Sequence, residues 1–239
     1  GVIQSNHPMT NWSRPVQVCS VQTLQRRKVL PKADVVLIDE AHRWFKFYGD
    51  WINNPEWAAT YFVGMSATPW TKGIGKFFDD LVTAATTQDL IDKGFLSPFK
   101  VYAPSHPDLT GVKTVKTDHG DDYQEKALSK VMQGAKLIAD AVSTWLRLGE
   151  NRPTLVFAVD RAHGQALAEK FTKAGVPTGY IDGKTPMVER TKIEAKLRNG
   201  VLKVVVNIGC LTLGTDWPFV SCISLCRPTK SEMLYCQII

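Results

Sequence analysis

Val35-Val36-Leu37-Ile38 is an unbroken apolar run that ends abruptly in Asp39-Glu40-Ala41-His42. Four consecutive apolar residues with polar neighbours predict a buried strand of a parallel sheet, and charged side chains just past its end would sit at the sheet's rim. Open α/β sheets bind their ligands at that rim. Paired carboxylates there suit nucleoside triphosphate hydrolysis: Asp39 can hold Mg²⁺ through its water shell, and Glu40 can orient or deprotonate the attacking water. Acidic residues also favour helix N-termini, so the string alone is compatible with an acidic helix start. The segments that follow favour the chemical reading.

A second apolar run, Tyr61-Phe62-Val63-Gly64-Met65, predicts another buried strand that delivers Ser66-Ala67-Thr68-Pro69 to the same rim. Small hydroxyl residues there can hydrogen-bond the acidic pair and report on it, and Pro69 turns the chain away. Upstream, Val16 to Cys19 leads into Ser20-Val21-Gln22-Thr23-Leu24, where Ser20 or Thr23 would cap a short helix carrying Arg26, Arg27 and Lys28. Such a helix start with a basic turn behind it can receive a phosphate, although an ordinary cap with a solvated basic face looks the same. The aromatics between Trp44 and Trp57 read as packing rather than as base-stacking platforms.

The pattern from Lys76 to Lys93 is helical, interrupted near Thr86-Thr87, and closes at Gly94, and Lys100 to Ala103 reads as a strand. Pro104 to Asp122 is then rich in Pro, Gly, Thr and Asp, the composition of a connection between domains. Helices are expected over Tyr123–Met132 and Ala135–Leu148. Strands over Thr154–Val159, Thr178–Ile181, Val204–Val206 and Cys222–Leu225 alternate with helices over Arg161–Ala174, from Thr185-Pro186 to Asn199-Gly200, and from Ser231. Alternation of this kind implies a parallel sheet with helices on both faces, so the chain reads as two sheets in tandem.

With 239 residues, 44% hydrophobic and 22% charged, the composition is that of a folded globular protein. Twenty-nine basic against 23 acidic residues give +6, which tolerates a polyanionic partner without demanding one. No apolar stretch reaches the roughly 18 residues that cross a bilayer, so no membrane partner is expected. Cys222 and Cys226 lie about 13 Å apart along a strand, too far to share a tetrahedral metal, and the five cysteines read as thiols of an intracellular protein. Gly183-Lys184-Thr185 fails as a phosphate loop because Gly179 leaves three intervening residues where four are required, and Gly73-Ile74-Gly75-Lys76 lacks the following hydroxyl. Opening on Gly1 and stopping inside an apolar helical pattern, the sequence reads as a piece of a longer chain.

In order and spacing these segments resemble a superfamily 2 helicase or translocase of the DEAD/DEAH-box type, in the group of RadD-like proteins and restriction-enzyme motor subunits. Asp39-Glu40-Ala41-His42 looks like motif II, Ser66-Ala67-Thr68 like motif III, and Ser20 to Leu24 like the first domain's nucleic-acid-contacting segment. Thr154 to Ala158 is similar to motif IV, Gly214-Thr215-Asp216-Trp217-Pro218 to motif V, and Arg227 to Gln237 to the approach to motif VI. The resemblance implies an α/β fold of two tandem RecA-like parallel-sheet domains, both incomplete at the chain ends. Residues 1–96 would be the first, 97–134 a linker or crossover, and 135–239 the second.

It further implies an ATP- and Mg²⁺-dependent motor, monomeric, acting inside the cell on nucleic acid, DNA rather than RNA. Asp39 would hold the metal, Glu40 activate water, and His42 couple the cleft to the opposite lobe. Ser66 and Thr68 would link hydrolysis to strand movement. Gly214, Asp216 and Gln237 would approach the nucleotide, and Gln22, Thr23, Arg26 and Thr212 the nucleic-acid backbone. Leu213 departs from the polar residue often found before the motif V glycine. The family's phosphate-loop lysine and arginine finger fall outside this sequence, so this stretch alone is expected to hydrolyse ATP negligibly. Competing readings are a non-hydrolytic nucleic-acid-binding scaffold and the motor subunit of a restriction or repair nuclease.

Overall fold

The computed structural model describes every residue except Thr71, Pro104, Ser105, Asp118, His119, Leu213 and Gly214. Internal packing separates two units, Gly1–Thr83 and Ala84–Ile239. The resemblance puts the boundary at 96/97 with a linker over 97–134; internal packing groups that stretch with the second unit.

In the first unit, β1 (Val2–Ile3) and β2 (Val18–Cys19) pair in parallel, and α1 (Val21–Arg27) follows. A second parallel pair joins β3 (Val35–Ile38) to β4 (Tyr61–Gly64), with Ile38 opposite Gly64, and α2 (Lys46–Ile52) lies between them in the chain. The expectation of fully buried strands is corrected here. Val35 and Leu37 are 53% and 63% exposed and Tyr61 75%, because this two-stranded sheet packs on one face only. On that face Val36, Ile38 and Phe62 meet Phe47 and Tyr48. Trp51 meets Trp57 edge-on at 5.1 Å and Phe62 at 5.6 Å, so the aromatic stretch is packing material.

The second unit opens with α3 (Thr87–Asp92), the part of the expected Lys76 to Lys93 pattern beyond its interruption near Thr86-Thr87. Thr86 and Asp89 form a reciprocal capping box there, which fixes where the helix begins. Lys100 to Ala103 is not a strand; its side chains are exposed, and an extended run gains little without burial or a ladder partner. An antiparallel hairpin, β5 (Thr114–Thr117) and β6 (Gly120–Tyr123), then precedes α4 (Glu125–Met132) and α5 (Ala135–Leu148).

Four parallel strands form the main sheet: β7 (Thr154–Phe157), β8 (Thr178–Ile181), β9 (Val204–Asn207) and β10 (Cys222–Leu225), in the order β10-β7-β9-β8. Helices α6 (Arg161–Lys173), α7 (Met187–Arg198) and α8 (Glu232–Ile238) complete the alternation. Period-two side-chain alternation sends Val156, Val204 and Val206 to one face, against Trp145, Leu167 and Phe171 of α5 and α6. Leu155, Phe157 and Val205 go to the other, against Ile193 and Leu197 of α7 and Leu234 and Ile238 of α8. Both faces are thus covered, as a parallel sheet requires. The expected Thr185 cap is replaced by Pro186 at the N-cap position, because the Thr185 hydroxyl accepts the Asp182 N–H and closes a turn instead.

Candidate nucleotide and nucleic-acid site

In the first unit the acidic segment and the hydroxyl segment leave neighbouring strands at the same end. Backbone bonds continue the ladder past the strands: the Met65 N–H donates to Ile38 O at 2.8 Å and the Ala41 N–H to Met65 O at 3.0 Å. This register brings His42 to Ser66, with Nδ1 and Oγ 2.9 Å apart, and Ser66 Oγ also accepts the Thr68 N–H at 3.0 Å. His42 and Thr68 are buried, at 2% and 1% exposure.

Glu40 occupies the left-handed backbone region, φ +49°, which costs an ordinary residue roughly 1 kcal/mol. Its N–H is held by Asp39 Oδ1 at 2.9 Å, and the resulting turn sets Glu40 Oε2 3.3 Å from His42 Nδ1. Burial pushes the His42 imidazole below its ordinary pKa; the Glu40 carboxylate opposes this and the Arg43 cation adds to it. A neutral ring near pH 7 can act as a pivot on this one nitrogen: a protonated Nδ1 donates to the Glu40 carboxylate or to Ser66 Oγ, and a bare Nδ1 accepts from the Ser66 hydroxyl alone.

Asp39, Glu40 and Gln22 line one open depression of about 160 Å³ together with Arg43 and Tyr48. Thr23 and Arg26 line a different one of about 170 Å³ with Ser5, Asn6 and Arg27. Of the four residues expected on the nucleic-acid path, the three in the first unit are therefore divided, Gln22 lying beside the carboxylates. Ser20 stands at the N-cap position of α1 but makes no capping bond, its hydroxyl donating to Gln22 Oε1 at 2.9 Å. Thr23 Oγ1 is taken by the Ser5 N–H at 3.0 Å. Arg43, unnoticed in the sequence, is the cation nearest the acidic pair in chain order; a basic residue right after the His was its only signal.

Among the described residues no group of three or more His, Cys, Asp or Glu converges as a metal cage. Mg²⁺ is characteristically bound by one or two carboxylates, waters and substrate phosphates, so the exposed Asp39 carboxylate fits a Mg²⁺ that arrives with a nucleotide.

In the second unit, β9 ends at the buried Asn207, and Thr212 and Asp216 lie on the segment that follows, Thr212 half-buried and Asp216 exposed. Gln237 is half-buried in the last turn of α8. Gly214, expected at the nucleotide, lies outside the described residues.

A parallel sheet wrapped by helices on both faces, with polar residues on the segments leaving its strands, defines a RecA-like α/β domain. Residues 136–239 match the family model "Helicase conserved C-terminal domain". Residues 136–239 are thus similar to a helicase C-terminal domain. The chain is 34% identical to IRC3 of Saccharomyces cerevisiae, whose name places it among ATP-dependent helicases, over 94% of this chain and 34% of that protein. It is 28% identical to a 51.5 kDa protein of a Lactococcus phage, over 89% of this chain and 46% of that protein. The chain thus spans less than half the length of either relative. Among solved structures, S. cerevisiae Dbp5 bound to RNA and ADP BeF3 shares the fold with a TM-score of 0.50 at 17% identity, covering 99% of this chain and 58% of that one.

Proposed function

We propose that the protein to which this chain belongs is an ATP- and Mg²⁺-dependent helicase or translocase that moves along DNA, and that these residues are part of its motor core. The observation that carries the reading is the 2.9 Å contact between His42 and Ser66, which ties the carboxylate segment to the hydroxyl segment at one rim of a parallel strand pair. A hydrolytic site that must report its state to a moving partner needs such a link.

In this reading Glu40 orients the attacking water and takes its proton, and Asp39 holds Mg²⁺, which neutralises charge on the β- and γ-phosphates when bound. His42 relays the state of Glu40 to Ser66 and Thr68. Thr23 and Arg26 take backbone phosphates, a contact that carries no base preference, and Gln22 lies between that path and the carboxylates. In the second domain, the resemblance assigns Gly214, Asp216 and Gln237 to the nucleotide and Thr212 to the nucleic-acid backbone. The motor works as a monomer inside the cell; among the described residues no helix is long and apolar enough to cross a membrane.

The test is Glu40→Gln in the full-length protein. DNA-stimulated ATP turnover should fall by about 10²-fold or more, the range for a lost general base, while a fluorescent ATP analogue still binds. Full turnover in this variant would remove Glu40 from the chemistry, and stimulation by RNA but not DNA would overturn the choice of polymer.

A further inference from the structure

The hairpin β5/β6 has no place in the motif series, yet it holds a buried carboxylate. Asp122, on β6, is 2% exposed. Its Oδ2 accepts the Thr229 hydroxyl at 3.0 Å and its Oδ1 accepts the Lys230 N–H at 2.9 Å, more than a hundred residues away in sequence. Arg227 brings its guanidinium to 3.5 Å from Oδ2, and the Tyr123 N–H adds a local bond at 2.8 Å. Lys230 is gripped a second time, its Nζ donating to Thr114 Oγ1 at 2.9 Å and lying 4.9 Å from the Tyr123 ring centre.

The chain of bonds runs on into α8. Thr229 Oγ1 accepts the Ser231 N–H at 3.1 Å, and Ser231 Oγ accepts the Leu234 N–H at 3.1 Å as the N-cap of that helix. A buried carboxylate satisfied by several donors is a rigid anchor, because breaking any one bond leaves charge without compensation. Here the anchor fixes both the position and the first turn of the helix that carries Gln237.

We infer that Asp122 is a positioning residue for nucleotide hydrolysis: the hairpin uses it to set α8, and with it Gln237, in the orientation the nucleotide requires. This rests on the reading of the protein as an ATP-driven motor. It also assigns the hairpin a role, since anything that displaces β5/β6 would displace the start of α8 through Thr229 and Lys230.

The experiment uses the full-length protein with Asp122→Asn, Thr229→Val and Thr229→Ser. Asp122→Asn should lower kcat for DNA-stimulated ATP hydrolysis by about tenfold or more, the scale of a small misplacement, with KM for ATP within about twofold. Thr229→Val should shift kcat in the same direction, and Thr229→Ser, which restores the hydroxyl, should recover it. Hydrogen exchange at the amides of Lys230, Ser231 and Leu234 should quicken in Asp122→Asn while that of β7 and β9 stays unchanged. Wild-type kcat in Asp122→Asn, or Thr229→Ser as impaired as Thr229→Val, would overturn the inference. So would uniform quickening of exchange across the second unit, which is the mark of a purely structural residue. If the unmutated protein hydrolyses no ATP with DNA present, the motor reading fails instead. The exchange data then decide alone whether Asp122 sets α8: local quickening supports the link, and unchanged exchange refutes it.

Discussion

His42 Nδ1 lies 2.9 Å from Ser66 Oγ, joining the segments that leave two adjacent parallel strands. The bond is buried on the His42 side, and Ser66 Oγ simultaneously receives the Thr68 N–H. Ser66→Ala should therefore cost about 1–3 kcal/mol of stability, since it leaves polar partners unsatisfied. In the full-length protein the same variant should reduce the stimulation of ATP turnover by DNA by about fivefold or more, the low end of a coupling free energy between sites. Turnover with and without DNA measures the ratio; an unchanged ratio would mean that the bond is structural only.

Gly64 closes the same rim from below. A Cβ built there would meet Phe78 Cζ at 2.9 Å and Ala41 Cβ at 3.0 Å, and Ala41 sits within the acidic segment. Gly64→Ala should destabilise the first unit by roughly 1–3 kcal/mol through overpacking. Gly75, with nothing within 4 Å of its Cβ position, provides the control, and Gly75→Ala should stay within about 0.5 kcal/mol. Urea unfolding of the chain compares the two; equal midpoints would show that the aromatic ring yields without cost.

What the sequence discloses and what it withholds divide along physical lines. α5 over Ala135–Leu148, β8 and β10 fall where periodicity puts them, because each element packs an apolar set on one side and ends at a turn. The half-open state of β3 was not legible: an apolar run has the same letters whether one face or two are covered. Nor was the hairpin β5/β6, whose Asp121 and Asp122 look like loop residues until Thr229 and Lys230 arrive from far along the chain. At the candidate site, the adjacency of Asp39 and Glu40 was plain from the string; Ser66 was expected on that carboxylate pair, whereas its hydroxyl meets His42 and the Thr68 N–H. The separation of Gln22 from Thr23 and Arg26 depends on which side of α1 each depression opens, and residue order does not encode that.

Trp145 on α5 donates its indole N–H to Thr154 Oγ1 at 2.7 Å, and that hydroxyl donates onward to Arg152 O at 2.8 Å. Thr154→Val keeps the shape and removes the acceptor, so a buried N–H loses its partner at a cost of about 1–3 kcal/mol. In a Trp145→Phe background the same substitution should cost much less, because the donor is already gone. A double-mutant cycle by chemical denaturation checks this; additive losses would mean that the bond contributes nothing beyond packing.

His163 supplies the pH dependence. It is 1% exposed in the first turn of α6, its Nδ1 accepts the Val159 N–H at 3.2 Å, and burial lowers its pKa from 6.5 to about 4, with the Asp160 carboxylate opposing. The unfolded chain protonates this ring first as pH falls, so below about 6.5 the unfolded state binds more protons and stability declines. The decline should level off below about 4, where both states are protonated. At about 1.4 kcal/mol per pH unit the full effect is at most about 3 kcal/mol. His163→Gln keeps a neutral acceptor for Val159 at every pH. Relative to wild type, its urea midpoint should therefore fall less steeply between pH 6.5 and 4.5, whatever the other titrating groups contribute to both proteins. Parallel midpoint curves for the two proteins would show that His163 gains its proton equally in the folded and the unfolded chain.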